Sequence, residues 1–240
     1  HKEYRRQRQM CIRDSTCALE IERIQKAKDL DLHLGLEPEP LGSFETTPET
    51  ISFFEQLHSY SGNPELSKTV GVNYDCCHLA VEFESAQFGL NQLMEAGIRL
   101  SKLHLSSALR AKPTSQNRDL LKSFVEDVYL HQVVVGKSGK AERRYKDLDI
   151  ALEDDVANSD DEEWRIHFHV PLHASPHGTL GDTQKQVLDT LDWLALNPTA
   201  CRHLEMETYT WEVLPRELQS TSVVKQLSLI HISEPTRRRG

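Results

Sequence analysis

Val72-Asn73-Tyr74-Asp75-Cys76-Cys77-His78 decides the reading of this chain. A β-prone run from Thr69 ends on a carboxylate, and an imidazole follows three residues later. Comparable stretches are Leu34-Gly35-Leu36-Glu37-Pro38-Glu39-Pro40, the run from Ser101 through His104 to Arg110, and the run from His203 through Glu205 to Glu207. Each delivers Asp, Glu or His at the carboxyl end of a short strand. Parallel α/β barrels build their sites at that end.

Working outward, the spacing predicts an alternation of helices and strands. Residues 17–30 read as an amphipathic helix, with Leu19, Ile21, Ile24 and Ala27 at nearly helical spacing. A strand over 32–37 is stopped by Pro38 and Pro40. Thr47-Pro48-Glu49 starts a helix that runs to the Ser61–Pro64 turn. The 69–75 strand, a helix over 83–96 closed by Gly97, and a strand over 98–105 complete an α-β-α-β-α-β order. Regularity breaks over 111–163, which reads as a loop-rich insertion with a helix at 117–127 and an apolar run at 128–135. Within it, Lys137–Lys146 is basic, and the acidic run 154–163 reads as a solvated loop, with a divalent-ion loop as the alternative. Order resumes in an alternating strand from Trp164 to His173. A helix then runs from Asp182 to Leu196, a strand over 201–208, and a final helix begins at 214–218.

Composition narrows the function classes. The formal net charge of −9 argues against a broad nucleic-acid or anionic-membrane footprint. No apolar run approaches the roughly 20 residues that span a bilayer. Five cysteines, an odd number without C-x-x-C spacing, point to a reducing compartment, and the expected location is cytoplasmic.

Glu37, Asp75, His104 and Glu207 sit at four strand ends. Three carboxylates and an imidazole form a mixed oxygen and nitrogen set that suits Mn²⁺, Mg²⁺, Co²⁺ or Zn²⁺. The lack of thiolates argues against a closed structural zinc site. Glu39 competes with Glu37 because both lie by the strand end, and Glu205 with Glu207 because shared parity puts both on one strand face. His167 and His169 share one strand face and read as a polar face. Cys76 and Cys77 read as small buried residues, with reactive thiols as the alternative.

From Leu32 to about Pro215 the chain resembles the C-terminal half of a xylose-isomerase-like TIM barrel of the sugar-phosphate isomerase/epimerase superfamily. More narrowly, it resembles the metabolite traffic protein EboE family. The carrying motifs are Leu36–Pro40, Asn73–Ala80, Lys102–Arg110, Ile166–Leu172 and Leu204–Trp211. Their order and spacing are specific together and weak singly. The resemblance implies a partial (β/α)8 fold, about strands 5–8. One divalent metal would be held by Glu37, Asp75, His104 and Glu207. It further implies Glu37 and Glu207 as acid and base, with His78 and Arg110 on substrate oxygens. For His167 and His169 the superfamily resemblance implies second-metal or substrate ligands as the alternative to a polar face. The implied partners are a small sugar- or polyol-type metabolite and a membrane-associated protein of the same gene cluster. The implied role is isomerase- or epimerase-like, in handling secondary-metabolite precursors. Two alternatives are a non-catalytic metabolite-binding or traffic protein on the same scaffold, and an apurinic-endonuclease-like metal phosphodiesterase. The acidic balance weighs against the last.

The two ends read differently from the middle. Residues 1–15 and 227–240 resemble translated sequencing-adaptor read-through, with two basic tails as the alternative. That reading leaves 16–226 as the half barrel. Strands 1–4 are not visible before residue 16, so an open parallel edge and an unstable or aggregating chain are expected.

Overall fold

The computed structural model of the protein describes residues 2–63, 66–154, 161–172 and 178–207. Two compact units emerge. The first comprises His1–Leu105 and Lys185–Met206. The second comprises Ser106–Gln184 and, of the described residues beyond, Glu207.

The first unit is built on a parallel sheet. Its strands are β1 (Leu34–Leu36), β2 (Val70–Asp75), β3 (Leu100–Leu105) and β9 (Leu204–Met206), in the order β1-β2-β3-β9. Every neighbouring pair is parallel. Helix α2 (Thr47–Ser61) and the short α3 (Leu66–Thr69) link β1 to β2, while α4 (Cys76–Val81) and α5 (Ala86–Glu95) link β2 to β3. Helix α8 (Gln184–Leu196) leads into β9.

Local chemistry explains these elements. Thr46 and Glu49 close a reciprocal capping box at the start of α2, with Pro48 in the first turn and Gly62 in the left-handed conformation at its end. All six residues of β2 are buried, as expected of an inner strand of a parallel sheet. Val72 and Tyr74 face the helical layer. The Tyr74 hydroxyl accepts a hydrogen bond from Gln186 Nε2 at 3.1 Å, and Cys76 Sγ donates to Thr190 Oγ1 at 3.5 Å. Phe53, Leu57, Leu90, Leu93 and Trp193 fill this layer. Trp193 Nε1 donates to Asn91 Oδ1 at 2.7 Å, joining α8 to α5. Gly71 is required by proximity: a Cβ there would lie 2.4 Å from the Arg99 carbonyl oxygen and 2.5 Å from Ser101 Oγ. A bulge follows, so Val72 aligns with Leu100 but Asn73 with Lys102. Helix α1 (Lys2–Lys28) runs continuously from the expected tail into the expected amphipathic segment, packing against α2 and α3.

The second unit is an antiparallel sheet. Its strands are β4 (Ala108–Ala111), β5 (Val133–Lys137), β6 (Lys140–Tyr145), β7 (Glu162–His169) and β8 (Gly181–Asp182), ordered β6-β5-β7-β4-β8. Within 111–163 the structure also places α6 (Ser115–Leu121), a 3-10 turn (Lys122–Phe124) and α7 (Leu148–Glu153). Leu109, Leu121, Phe124, Val133, Leu148, Trp164, Ile166 and Phe168 form this unit's core. The Arg118 guanidinium sits 5.2 Å over the Trp164 ring, while its Nη2 donates to the carbonyls of Leu152 and Asp154.

The parallel strands fall within the ranges that the sequence leads one to expect. The apolar run expected over 128–135 becomes a strand only from Val133. The strand expected over Trp164–His173 is Glu162–His169 in the structure, and His173 lies outside the described residues. The helix expected from 214, the tail 227–240 and most of the acidic run (155–160) also lie outside them. No helix among the described residues is long and apolar enough to cross a membrane.

Candidate metal centre

Glu37 follows β1, Asp75 ends β2 and His104 is the penultimate residue of β3. The parallel register sets Asp75 against His104, so three neighbouring strands present three donor groups at their carboxyl ends. One ligand atom from each lies within 4.8 Å of the others. His104 Nδ1 is 3.2 Å from Glu37 Oε1 and 3.3 Å from Asp75 Oδ2. Asp75 is fully buried, whereas Glu37 is partly open to solvent.

Charge arrangement governs this cluster. Burial works against a charged His104 ring, but the hydrogen bonds and charges of Asp75 and Glu37 outweigh it and push its pKa up to about 10. Two carboxylates therefore converge on a point that favours positive charge. Here the imidazolium supplies that charge. A divalent cation would supply it after displacing the ring proton, and two carboxylate oxygens with one imidazole nitrogen form a chemically suitable donor set. The residues present thus fit a small divalent ion.

His78 extends the cluster. Its backbone N–H donates to Asp75 Oδ1 at 2.9 Å, which caps α4, and its Nδ1 is 3.0 Å from the Pro38 carbonyl oxygen. The same nitrogen lies 3.4 Å from Glu37 Oε1. Burial opposes its protonation, but Asp75, Glu37, Glu39 and the Pro38 carbonyl raise its pKa overall. The resemblance implies a substrate-oxygen contact for His78, and in the structure its ring lies beside Glu37 and Asp75.

Sequence reasoning missed Asn73 as a site residue. Its Nδ2 donates to Glu37 Oε2 at 2.7 Å and lies 3.2 Å from His104 Nδ1. The available signal was parity: Asn73 and Asp75 share one face of β2. Lys102 was likewise visible only through pairing, and pairing brings Glu205, the expected competitor of Glu207, to His104. Glu205 aligns with His104, its Oε2 lies 3.7 Å from His104 Nε2, and Lys102 Nζ donates to it at 2.8 Å. That lysine, more than any other group, lowers the Glu205 pKa.

The remaining expected site residues lie in the second unit. Glu207 Oε2 is 3.3 Å from His169 Nδ1. The rings of His167 and His169 are 5.4 Å apart, and His167 Nδ1 lies 2.7 Å from Gln132 Oε1. Both imidazoles are buried, so the alternating face is an interior one. Arg110 is half-exposed, and its Nη1 lies 3.3 Å from Glu163 Oε2. Cys76 and Cys77 are fully buried free thiols. Compared with family models, curated proteins and solved structures, the chain matches none.

Proposed function

We propose that this chain carries the divalent-metal site of an isomerase- or epimerase-like protein acting on a small sugar or polyol. The scaffold in this reading is half of a xylose-isomerase-like (β/α)8 barrel. The observation that carries the reading is the convergence of Glu37, Asp75 and His104 from three consecutive parallel strands. Sequential strand order with helical crossovers supports the barrel reading, since a doubly wound sheet reverses its order midway.

When bound, the ion would polarise a carbonyl and a neighbouring hydroxyl of the substrate and ease proton removal from the hydroxyl-bearing carbon next to that carbonyl. Glu37 and Glu207 are the proposed acid and base. Asn73 orients Glu37 through its 2.7 Å hydrogen bond. His78, held by the Pro38 carbonyl, and Arg110 are the proposed donors to substrate oxygens. The EboE resemblance extends the proposal to handling of secondary-metabolite precursors with a membrane-associated partner.

Elemental analysis after loading with Mn²⁺ or Zn²⁺ tests the metal reading. The expected outcome is about one tightly held ion per chain, lost in a Glu37→Gln, His104→Ala double variant. Equal metal content in the two proteins would remove the site and the function built on it.

A further inference from the structure

A second cluster lies at the opposite ends of the same parallel strands. Asp31, His33, Arg99, Ser101, Arg202 and His203 line a cavity of about 440 Å³ there. His33 directly precedes β1, Arg99 precedes β3, and Arg202 and His203 precede β9. His33 and Glu37 are four residues apart along one strand, which at about 3.3 Å per residue places this cavity roughly 13 Å from the candidate metal centre. The volume is within the range of pockets that hold small ligands.

Basic side chains outnumber carboxylates in this cavity. Asp31 is the only carboxylate among the lining residues, and it is already engaged by Arg99 Nη2 at 2.6 Å. Arg99 Nη1 donates to the Lys68 carbonyl at 3.3 Å, which fixes the guanidinium against the strand ends. Among the described residues the Arg202 guanidinium has no ion pair. The buried Nδ1 of His33 has no hydrogen-bond partner. Burial, and then the charge of Arg99, lower the His33 pKa.

We propose that this cavity binds a phosphate group, carried by a small phosphorylated metabolite or as inorganic phosphate. Arg202, His33 and His203 are its donors, and Arg99 sets the floor. Arg202 and His203 come from the start of β9 and His33 from the start of β1, and all three line the cavity. A tetrahedral phosphate offers several acceptor oxygens to donors from separate strand ends, whereas one guanidinium fork already satisfies a planar carboxylate. The proposal is independent of the metal reading, because it uses none of the same side chains.

The test is a titration of the full chain with inorganic phosphate, following the His33 and His203 imidazole NMR signals, with chloride at matched ionic strength and acetate as comparators. Saturable shifts with phosphate are expected. Arg202→Gln, an exposed and structurally tolerant change, should weaken binding about tenfold, and His33→Gln should do likewise. Acetate should bind more weakly. A small phosphorylated polyol that competes with phosphate at lower concentration would identify the metabolite as the source, and weaker competition would identify free phosphate. Shifts that stay linear or are reproduced by chloride would overturn the site, as would unchanged affinity in both variants. Equal affinity for acetate would overturn the phosphate assignment.

Discussion

His104 Nδ1 lies 3.3 Å from Asp75 Oδ2, across a register pair that sets the two residues side by side on adjacent parallel strands. With Glu37 at 3.2 Å from the same nitrogen, the imidazole is held between two carboxylates, and its pKa rises to about 10. Metal binding at Nδ1 must then displace a proton. Below the folded pKa, apparent affinity should rise about tenfold per pH unit for one proton released. Competition against a chromophoric chelator across neutral to mildly alkaline pH reads this slope directly. A flat profile would show that His104 is not a ligand.

The same shift has a consequence for the metal-free chain. The His104 pKa is raised above its ordinary 6.5, so its ion pairs contribute stability fully below pH 6.5. That contribution declines as pH rises toward 10. Urea midpoints of the metal-free chain should therefore fall over this interval, and those of His104→Gln should fall less. Parallel curves for the two proteins would separate the ring's charge from stability.

Asp75 has two roles that substitution can part. Its Oδ1 caps α4 through the His78 N–H, and its Oδ2 faces His104. Asp75→Asn keeps a capping oxygen and removes the charge, so it should retain the fold while weakening metal binding by about 100-fold or more. Asp75→Ala should lose binding and, in addition, about 1 kcal/mol of helix-cap stability. Isothermal titration and thermal melts of both variants check the separation. Intact metal affinity in Asp75→Asn would remove this residue from the ligand set.

Much of this cluster was legible before the fold was known. A short apolar run that ends on Asp, Glu or His, recurring along the chain, encodes a buried parallel strand and its carboxyl end together. Glu37, Asp75 and His104 followed from that pattern. The second sheet did not. Strand β6, Lys-Ala-Glu-Arg-Arg-Tyr, alternates half-buried and exposed positions but is dominated by charge, so it resembles a solvated loop. Its pairing with β5 depends on the Ser138-Gly139 turn, where both residues have positive φ. Helix α4 was hidden for a related reason: Cys76-Cys77-His78 has weak helical propensity, and only the Asp75 cap marks its start. Helix α7 carried a similar cap at Asp147 within what reads as a loop. Contacts such as Asn73 to Glu37 join residues 36 apart, and only the strand register reveals them.

Glu205 and Glu207 share strand parity, and a direct comparison assigns their roles. Glu205 is half-exposed and bound to Lys102, which offsets its charge. Glu207 is partly buried and lies against His169. Under the proposed function, Glu207→Gln is expected to abolish turnover on sugar or polyol substrates, whereas Glu205→Gln should leave metal stoichiometry unchanged. The reverse pattern in metal analysis would move the fourth ligand to Glu205.

Gly71 tests how tightly the parallel sheet is closed around this site. A methyl group there would meet the Arg99 carbonyl oxygen at 2.4 Å and Ser101 Oγ at 2.5 Å, far inside contact distance. The carbonyl cannot swing away cheaply, because it accepts the Val72 N–H at 2.8 Å and so belongs to the β2–β3 ladder. Gly71→Ala must push the strands apart, at a cost of about 1–3 kcal/mol as for other overpacked interiors. Because β2 and β3 carry Asp75 and His104, their separation should lower metal affinity together with the urea midpoint. A Gly71→Ala protein with unchanged midpoint and unchanged affinity would show that the register pairing of Val72 with Leu100 is looser than the structure describes.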